Sequence, residues 1–436
     1  MMPKKTGAAV LSAVIPGLGQ MYNRQWVKGL AFLLTGVAWF YFLTHGLTRH
    51  LSGLITLGEL PSRMVKVGRL TRMVEGDHSI FMMINGLMAL LALLFYCGFY
   101  LLNIRDAFMV GAARAKQEHI RSFGQSLKYM GRRHFAYLVL AIPLVAVVFL
   151  TILPLVFSVL LAFTNYADPI LPPANLVDWV GFGNFSKMLS LDVWSTTFGG
   201  ILAWTLCWAV IATATTYIGG VLVAVLIHQP RVRFKKLWRT LLIVPFAIPN
   251  MISLLVMRNM FNNQFGPVNK YLGVIGLNGL PWLTDPFWAK VTVILANMWI
   301  GIPVTMILAF GVLTTIPRDL YEAAEVDGAG SAHKFRMITL PMVLFATAPI
   351  LIMQFAGNIN SFNVIYLMTN GEPVNPHYQY AGDTDLLVTW LYKLALNQSQ
   401  YSFASVIGIV IFLLVATLSI WSYRRTRSYK EEDMIA

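Results

Sequence analysis

The chain has 436 residues, 57% of them hydrophobic and only 12% charged, with a mean hydropathy of +0.64 and a formal net charge of +14. A soluble domain carries roughly a quarter charged residues, so this composition excludes an ordinary soluble protein and points to a multi-span membrane protein. The positive excess would suit nucleic acid, but the basic residues gather in particular loops, as in the cytoplasmic loops of a membrane protein, so no nucleic-acid partner is expected.

The chain opens with Lys4 and Lys5, an apolar run over residues 8–15, and then Pro16-Gly17-Leu18-Gly19-Gln20-Met21-Tyr22-Asn23. That run is too short to span a bilayer, which needs about 20 residues. It either lies in the interface or dips in and returns. No charged segment, short apolar core and small-residue cleavage site follow one another, so no cleaved signal is expected. The first spans cover residues 29–47 and 79–102. The loop between them, 48–78, carries Arg49, Arg63, Lys66, Arg69 and Arg72, yet it must be external, against the positive-inside rule. The next loop, 104–134, sets Arg105, Arg114, Lys116, Arg121, Lys128, Arg132 and Arg133 against Asp106 and Glu118, and is cytoplasmic. Further spans are expected over 135–163, 198–227, 241–261, 287–313, 342–369 and 403–423. Arg231, Arg233, Lys235, Lys236 and Arg239 return the chain inside after the fourth span, and Arg424, Arg425, Arg427 and Lys430 hold the C-terminus there. The fold class is therefore an all-α polytopic membrane protein of about eight transmembrane helices with both termini cytoplasmic. Cys97 and Cys207 sit inside apolar segments and read as small core residues, not as a disulfide framework.

Between the sixth and seventh spans lies a polar stretch with ordered local signals. Pro317 suits the first turn of a helix, residues 320–326 propagate one, and Gly328 suits its stop. Ser331 offers a hydroxyl to cap a second short helix. A helix–turn–helix outside the bilayer needs a partner to pack on, and the charge asymmetry places it in the cytoplasm. Glu322 and Asp327 have no nucleophile or cleft beside them, so they are not read as a catalytic pair.

Glu322-Ala323-Ala324, Asp327-Gly328-Ala329 and Ile338-Thr339-Leu340-Pro341 resemble the "EAA" loop of ABC importer permeases over roughly twenty positions. The resemblance implies a coupling helix within residues 315–341 that docks in a cleft of a cytoplasmic ATPase. Glu322 would anchor it, Ala323 and Ala324 allow close approach, Gly328 make the turn, and Asp327, Ala329, Leu340 and Pro341 complete the motif. Two leading helices before a six-helix core are similar to the larger permease subunit of maltose and maltodextrin importers, in the bacterial cytoplasmic membrane. This divides the chain into an N-terminal segment with two extra spans and a basic loop (1–134), a permease core (135–423) and a tail (424–436). The resemblance further implies a second, related permease subunit, two copies of a separate ATPase, an external sugar-binding protein and a maltodextrin substrate. The chain has no G-x-x-x-x-G-K-[ST] phosphate loop, so ATP and magnesium belong to the partner and no cofactor, metal or catalytic residue is expected here.

In the seventh span Gln354, Asn358 and Ser361 fall at i, i+4 and i+7, one helical face of neutral groups that donate and accept hydrogen bonds as sugar hydroxyls require. Phe355 and Phe362 offer apolar faces to sugar rings. Helix–helix hydrogen bonding explains the same amides equally well. In maltose-type permeases the stretches matching Gly357 to Ser361, and Trp299-Ile300-Gly301-Ile302-Pro303-Val304, contribute to the sugar site. The resemblance thus nominates Gln354, Gly357, Asn358, Ser361, Gly301 and Val304. At Gly357 and Val304 the best-known enteric pattern has aromatics, so ring stacking is in doubt there and longer glucans gain room. Leu367-Met368-Thr369-Asn370-Gly371-Glu372-Pro373 also looks like the outer loop of the maltodextrin branch.

Pro245 and Pro249 would kink the fifth span. Trp282, Trp288, Trp299 and Trp390 read as interfacial anchors, and His333 as a surface or structural residue. The alternatives are a permease for another oligosaccharide or sugar derivative and an ion-driven secondary transporter. The latter calls for internal repeats and mid-membrane acids, and neither is evident. A membrane-embedded enzyme would need a nucleophile–base constellation that the sequence does not offer.

Overall fold

The computed structural model describes residues 4–67, 70–118, 123–229 and 231–425. Arg69, Arg121, Arg427 and Lys430 of the charge argument, with the tail beyond 425, lie outside the described residues. Among the described residues seven helices are long and apolar enough to cross a membrane, or eight if one bent pair counts as a single span. The chain packs as two compact units, residues 1–181 and 182–436.

The first unit opens with α1 (Lys4–Val14), α2 (Leu18–Tyr22) and α3 (Trp26–Phe42), which passes through a π-helical turn, Leu43–Leu47, into α4 (Thr48–Thr56). The first span is thus Trp26–Thr56, and the basic loop is correspondingly shorter. Inside that loop β1 (Arg63–Val67) and β2 (Leu70–Val74) pair antiparallel, Arg63 opposite Val74, as the one ladder among the described residues. Then come α5 (Ser79–Ala115), α6 (Phe123–Arg133), and α7 (Phe135–Val147) joined by a π-helical turn to α8 (Leu153–Leu161). Leu57, Met83, Leu161 and Val177 form a small core at one end of this unit. There the Ser79 hydroxyl accepts from the Val177 N–H at 3.0 Å, and the Trp179 indole donates to the Ile55 carbonyl at 2.9 Å. The segment after α4 and the segment after α8 therefore occupy the same end, two crossings apart, as the expected topology requires despite the basic residues.

The second unit has α9 (Gly183–Ser190), α10 (Asp192–His228), α11 (Lys235–Ala247), α12 (Asn250–Met260), α13 (Pro267–Val274) and α14 (Pro286–Thr315). Next follow α15 (Arg318–Val326), α16 (Ser331–Lys334), α17 (Leu340–Ile359), α18 (Phe362–Met368), α19 (Leu387–Tyr392) and α20 (Tyr401–Arg425). The long helices α10 and α14 pack along each other. Buried Ala209, Ala212 and Ala224 on α10 and Ala289, Ala296 and Ala309 on α14 bring the backbones close, as small residues do between membrane helices. Trp208, Leu254, Val293, Ile365 and Leu386 fill the core at one end, and Val221, Ile227, Met306, Leu313 and Val343 fill it at the other.

Three sequence expectations are corrected here. The expected fifth span, 241–261, is two helices, α11 and α12, meeting at 92°. Ile248 is extended and Pro249 starts α12, because a residue before proline is pushed out of the helical region. Pro245, by contrast, is accommodated inside α11. Cys97 and Cys207 are unpaired but exposed on outer helix faces, not in the core. Trp390 is fully buried, its indole donating to the Gln379 carbonyl, and Trp282 packs edge-on against Phe261 and Trp288. Both are packing residues of loop substructures, not interfacial anchors.

Candidate functional site

The polar stretch forms a helical elbow. Pro317 is the cap residue of α15, and its fixed φ leads into Arg318. The helix stops at Asp327 because Gly328 takes φ +78°, a left-handed conformation that glycine adopts without a Cβ penalty. The Gly328 N–H donates to the Glu325 carbonyl at 3.0 Å and the Ala329 N–H to the Ala324 carbonyl at 2.8 Å. Ser331 does not cap α16: Gly330 holds the cap position and no side-chain cap bond forms. From Ser331 the chain is helical to Ile359, so the second arm of the elbow and the seventh span are one rod. Leu340 and Pro341 lie where a π-helical turn, Phe335–Thr339, passes into α17. Proline cannot donate to the preceding turn, and a π-turn is one way a helix absorbs that loss.

The elbow is packed onto the span ends. Tyr321, Phe335 and Ile338 lie against the core of Leu313, Ile316 and Val343. The Tyr321 hydroxyl bonds Thr339 Oγ1 at 2.9 Å, fastening α15 to the rod. Lys334 reaches Glu325 at 3.4 Å, but the Glu325 carboxylate is largely exposed and the pair adds little. The opposite face is open: Glu322 and Ala323 are exposed, Val326 is 88% exposed, and Glu322 has no ion-pair partner among the described residues. Beside it is a concavity of about 500 Å³ lined by Ala324, Asp327, Gly328, Ala329 and His333. The sequence reading gave Tyr321, Thr339 and Val326 no individual role. The first had a detectable signal, an aromatic on the face of α15 opposite the exposed alanine.

Within the bundle, Gln354 and Asn358 lie one turn apart on α17 and both meet α10. Gln354 Nε2 donates to Thr216 Oγ1 at 2.7 Å, and Asn358 Nδ2 to Thr213 Oγ1 at 2.8 Å. The two differ in access. Asn358 is 8% exposed and its carbonyl also accepts from the buried Trp208 indole at 3.0 Å, whereas Gln354 is half-buried and keeps Oε1 as an acceptor. Ser361 does not share their face, because α17 ends at Ile359 and Ser361 stands, after a break, at the start of α18 with no side-chain cap bond. Gly301 lies against α10: a Cβ there would stand 2.5 Å from Thr216 Cγ2, so it is needed for close packing. Gly357 faces open space, and Val304 is partly exposed. Phe362 packs with Tyr366 and Tyr392 in a three-ring cluster. Thr213, Thr216 and Trp208 were missed, although threonines repeated along an apolar span were visible.

At the end of the unit opposite the elbow, the loop before α19 is built on a buried charge. The Asp385 carboxylate takes hydrogen bonds from the Gly382 N–H at 2.8 Å, Thr389 Oγ1 at 2.8 Å and Lys393 Nζ at 2.6 Å. Burial pushes its pKa up, and the Lys393 charge and these hydrogen bonds pull against that shift.

Seven or eight membrane-length helices among the described residues, with a helical elbow packed on the span ends of the second unit and an uncharged polar stripe between α10 and α17, fit a multi-pass membrane permease subunit. Residues 216–427 match the family model described as binding-protein-dependent transport system inner membrane component. The galactooligosaccharides transport system permease protein GanP of Bacillus subtilis is 39% identical over 426 residues, covering 97% of this chain and 98% of that protein. The maltodextrin transport system permease protein MalC of Streptococcus pneumoniae is 36% identical over 445 residues, covering 100% and 99%. The maltose/maltodextrin permease MalF of Escherichia coli is 36% identical over 271 residues, 60% of this chain and 52% of that protein. A crystal structure of a bacterial ABC transporter involved in alginate import shares the fold, with TM-score 0.56 at 21% identity over 69% of this chain and 98% of that one. The chain belongs to the family of binding-protein-dependent inner-membrane transport components, and it is a permease subunit of an ABC importer.

Proposed function

We propose that the chain carries a maltodextrin across the cytoplasmic membrane, driven by two copies of a separate ATPase that receive α15. A second, related permease would complete the pathway, and an external binding protein would deliver the sugar. ATP and magnesium act on the ATPase, and both termini of this chain face the cytoplasm. The observation that carries the sugar reading is the stripe of Gln354, Asn358, Thr213 and Thr216, uncharged and bonded across α10 and α17 within the bundle. Ionisable groups would suit an ion-coupled carrier, and amides and hydroxyls suit a polyol. Full-length relatives named for maltodextrin support the choice of substrate.

The structure suggests how drive reaches the stripe. Closure of the ATPases displaces α15, the Tyr321–Thr339 bond and the packed Phe335 and Ile338 transmit the motion to the rod, and the rod ends at the break beside Asn358. Inward- and outward-open states then exchange as populations biased by ATP. The test is tagged purification in mild detergent with ATPase assayed for wild type and Gly328→Arg. Co-purification of an ATPase and a second permease, with hydrolysis uncoupled in the variant, supports the reading. A protein that purifies alone and transports on an ion gradient overturns it. A galactooligosaccharide is the second reading, favoured by the 39% identity to GanP. Competition of labelled maltotriose uptake by maltoheptaose and by galactooligosaccharides separates the two.

A further inference from the structure

Residues 4–25 have an inverted pattern of burial. Several of their polar side chains are buried and several apolar ones are exposed. Ser12, Gln20 and Asn23 are at most 2% exposed, whereas Val14 is 71% exposed and Val10, Leu11 and Ile15 also face outward. Gly17, Ser12 and Gln20 converge on Asn103 of α5. Asn103 Oδ1 accepts from the Gly17 N–H at 3.2 Å, its Nδ2 donates to the Ser12 carbonyl at 3.1 Å, and its carbonyl accepts from Gln20 Nε2 at 2.9 Å. The Ser12 hydroxyl donates to Gln20 Oε1 at 2.9 Å and accepts from the Gly19 N–H at 3.1 Å.

The register of these contacts gives the path. Lys5 sits over Phe108, and the Ala13 carbonyl accepts from the Tyr100 hydroxyl. α1 therefore climbs antiparallel to α5 by about eight residues, roughly 12 Å at 1.5 Å per residue. α2 then descends. Gln20 meets Asp106, Asn23 Nδ2 donates to the Ala107 carbonyl, and the Tyr22 carbonyl accepts from Arg114. On the other side Pro16 at the turn lies against Gly36, about ten residues beyond the start of α3 at Trp26. Two neighbouring helices thus place the turn independently well past the Lys28–Asp106 ion pair, near the levels of Gly36 and Tyr100, which lie within the expected spans 29–47 and 79–102.

We propose that residues 4–25 form a re-entrant hairpin embedded in one leaflet, with Val10, Leu11, Val14 and Ile15 in contact with lipid acyl chains. In hydrocarbon the backbone groups of a turn must be satisfied by protein, and the Asn103 side chain satisfies two of them, the Gly17 N–H and the Ser12 carbonyl. The outward apolar face continues that of the spans beside it, where Leu34, Val37, Leu101 and Leu102 are also exposed. This continuity argues for lipid over a protein partner. The inference is independent of which sugar is carried.

The test uses the assembled transporter in lipid, in a background with Cys97→Ser and Cys207→Ser. Single substitutions Leu11→Cys, Val14→Cys, Leu34→Cys and Lys116→Cys carry a spin label whose collisions with oxygen and with a water-soluble nickel chelate are read. Labels at 11 and 14 are expected to match 34, with high oxygen access and loss of nickel access relative to 116. Nickel access equal to that at 116 would place the hairpin in water and overturn the proposal. Low access to both reagents would mean a protein covers it, and would overturn it equally. Adding Asn103→Ala is expected to raise nickel access at 14, and no change would remove Asn103 as a group the turn depends on.

Discussion

The Ala329 N–H donates to the Ala324 carbonyl at 2.8 Å across Gly328, which stands at φ +78°. This pairing, with the parallel bond from Gly328 to Glu325, closes the last turn of α15 and sets the angle at which its exposed face is presented. Nothing lies within 4 Å of a Cβ built on Gly328. The requirement there is conformational, not steric. Gly328→Val should cost about 1–2 kcal/mol, the usual penalty of the left-handed region, and uncouple ATP hydrolysis from uptake. Gly328→Asn should retain most coupling, because asparagine tolerates that region. If valine and asparagine behave alike in coupled ATPase assays, the turn is not what the elbow needs.

The two amides of α17 should separate functionally. Asn358 is buried between Thr213 and the Trp208 indole, so Asn358→Ala removes a bond between helices and leaves Thr213 without that partner. Bonds of this kind in membranes average about 0.6 kcal/mol and reach about 1.7. The expected result is a lower unfolding midpoint with little change in half-saturation for sugar in the surviving protein. Gln354 is half-buried and retains an acceptor, so Gln354→Ala should raise the half-saturation concentration for uptake and leave the midpoint nearly unchanged. The reverse pattern would exchange their roles.

Asp385 and Lys393 are a buried pair whose members depend on each other. Lys393→Met leaves the Asp385 carboxylate in place without its cation, and breaking a buried pair in this way costs about 3–5 kcal/mol. The sign of the pH dependence follows from the raised pKa of Asp385. Between the unfolded value, 3.8, and the higher folded one, the folded state holds a proton that the unfolded state has lost. Stability of this loop therefore falls as pH rises through that window. Removing Lys393 should raise the folded value further and extend the fall to higher pH. Hydrogen exchange over residues 371–393, measured against pH in wild type and variant, reads this directly, and identical profiles would contradict it.

Much of this architecture was legible because membrane spans are written in composition. Apolar runs of sufficient length located the crossings, and from the third span onward charge asymmetry gave a consistent alternation of loops. Gly328 was legible for a similar reason: glycine at that offset after a helical run has a conformational meaning. What escaped was tertiary. The stripe of Gln354, Asn358 and Ser361 assumed one unbroken helix, and the break after Ile359 is held by the Trp208 indole on another helix, which no local pattern reveals. Cys97 and Cys207 were placed in the core because apolar surroundings in sequence suggest burial, but a span has outward faces as well. The inward turn of Gln20 and Asn23 depends on the α5 carbonyls of Asn103 and Ala107, more than eighty residues away.

Pro249 offers the last test, because the sequence fixes the position of a bend without fixing its size. Ile248 is extended and α11 meets α12 at 92°. Pro249→Ala lifts the restriction on Ile248 and restores a backbone donor, so α11 and α12 should tend toward one straighter helix. Labels at Leu237→Cys and Val256→Cys, exposed on either side of the break, should then move apart, and uptake should fall while the protein remains in the membrane. Pro245→Ala should leave the same distance unchanged, since Pro245 already lies within helical backbone. An unchanged distance in Pro249→Ala would assign the bend to the packing of α12 on α14 and α18, among them Leu254 against Val293 and Ile365, instead of to the proline.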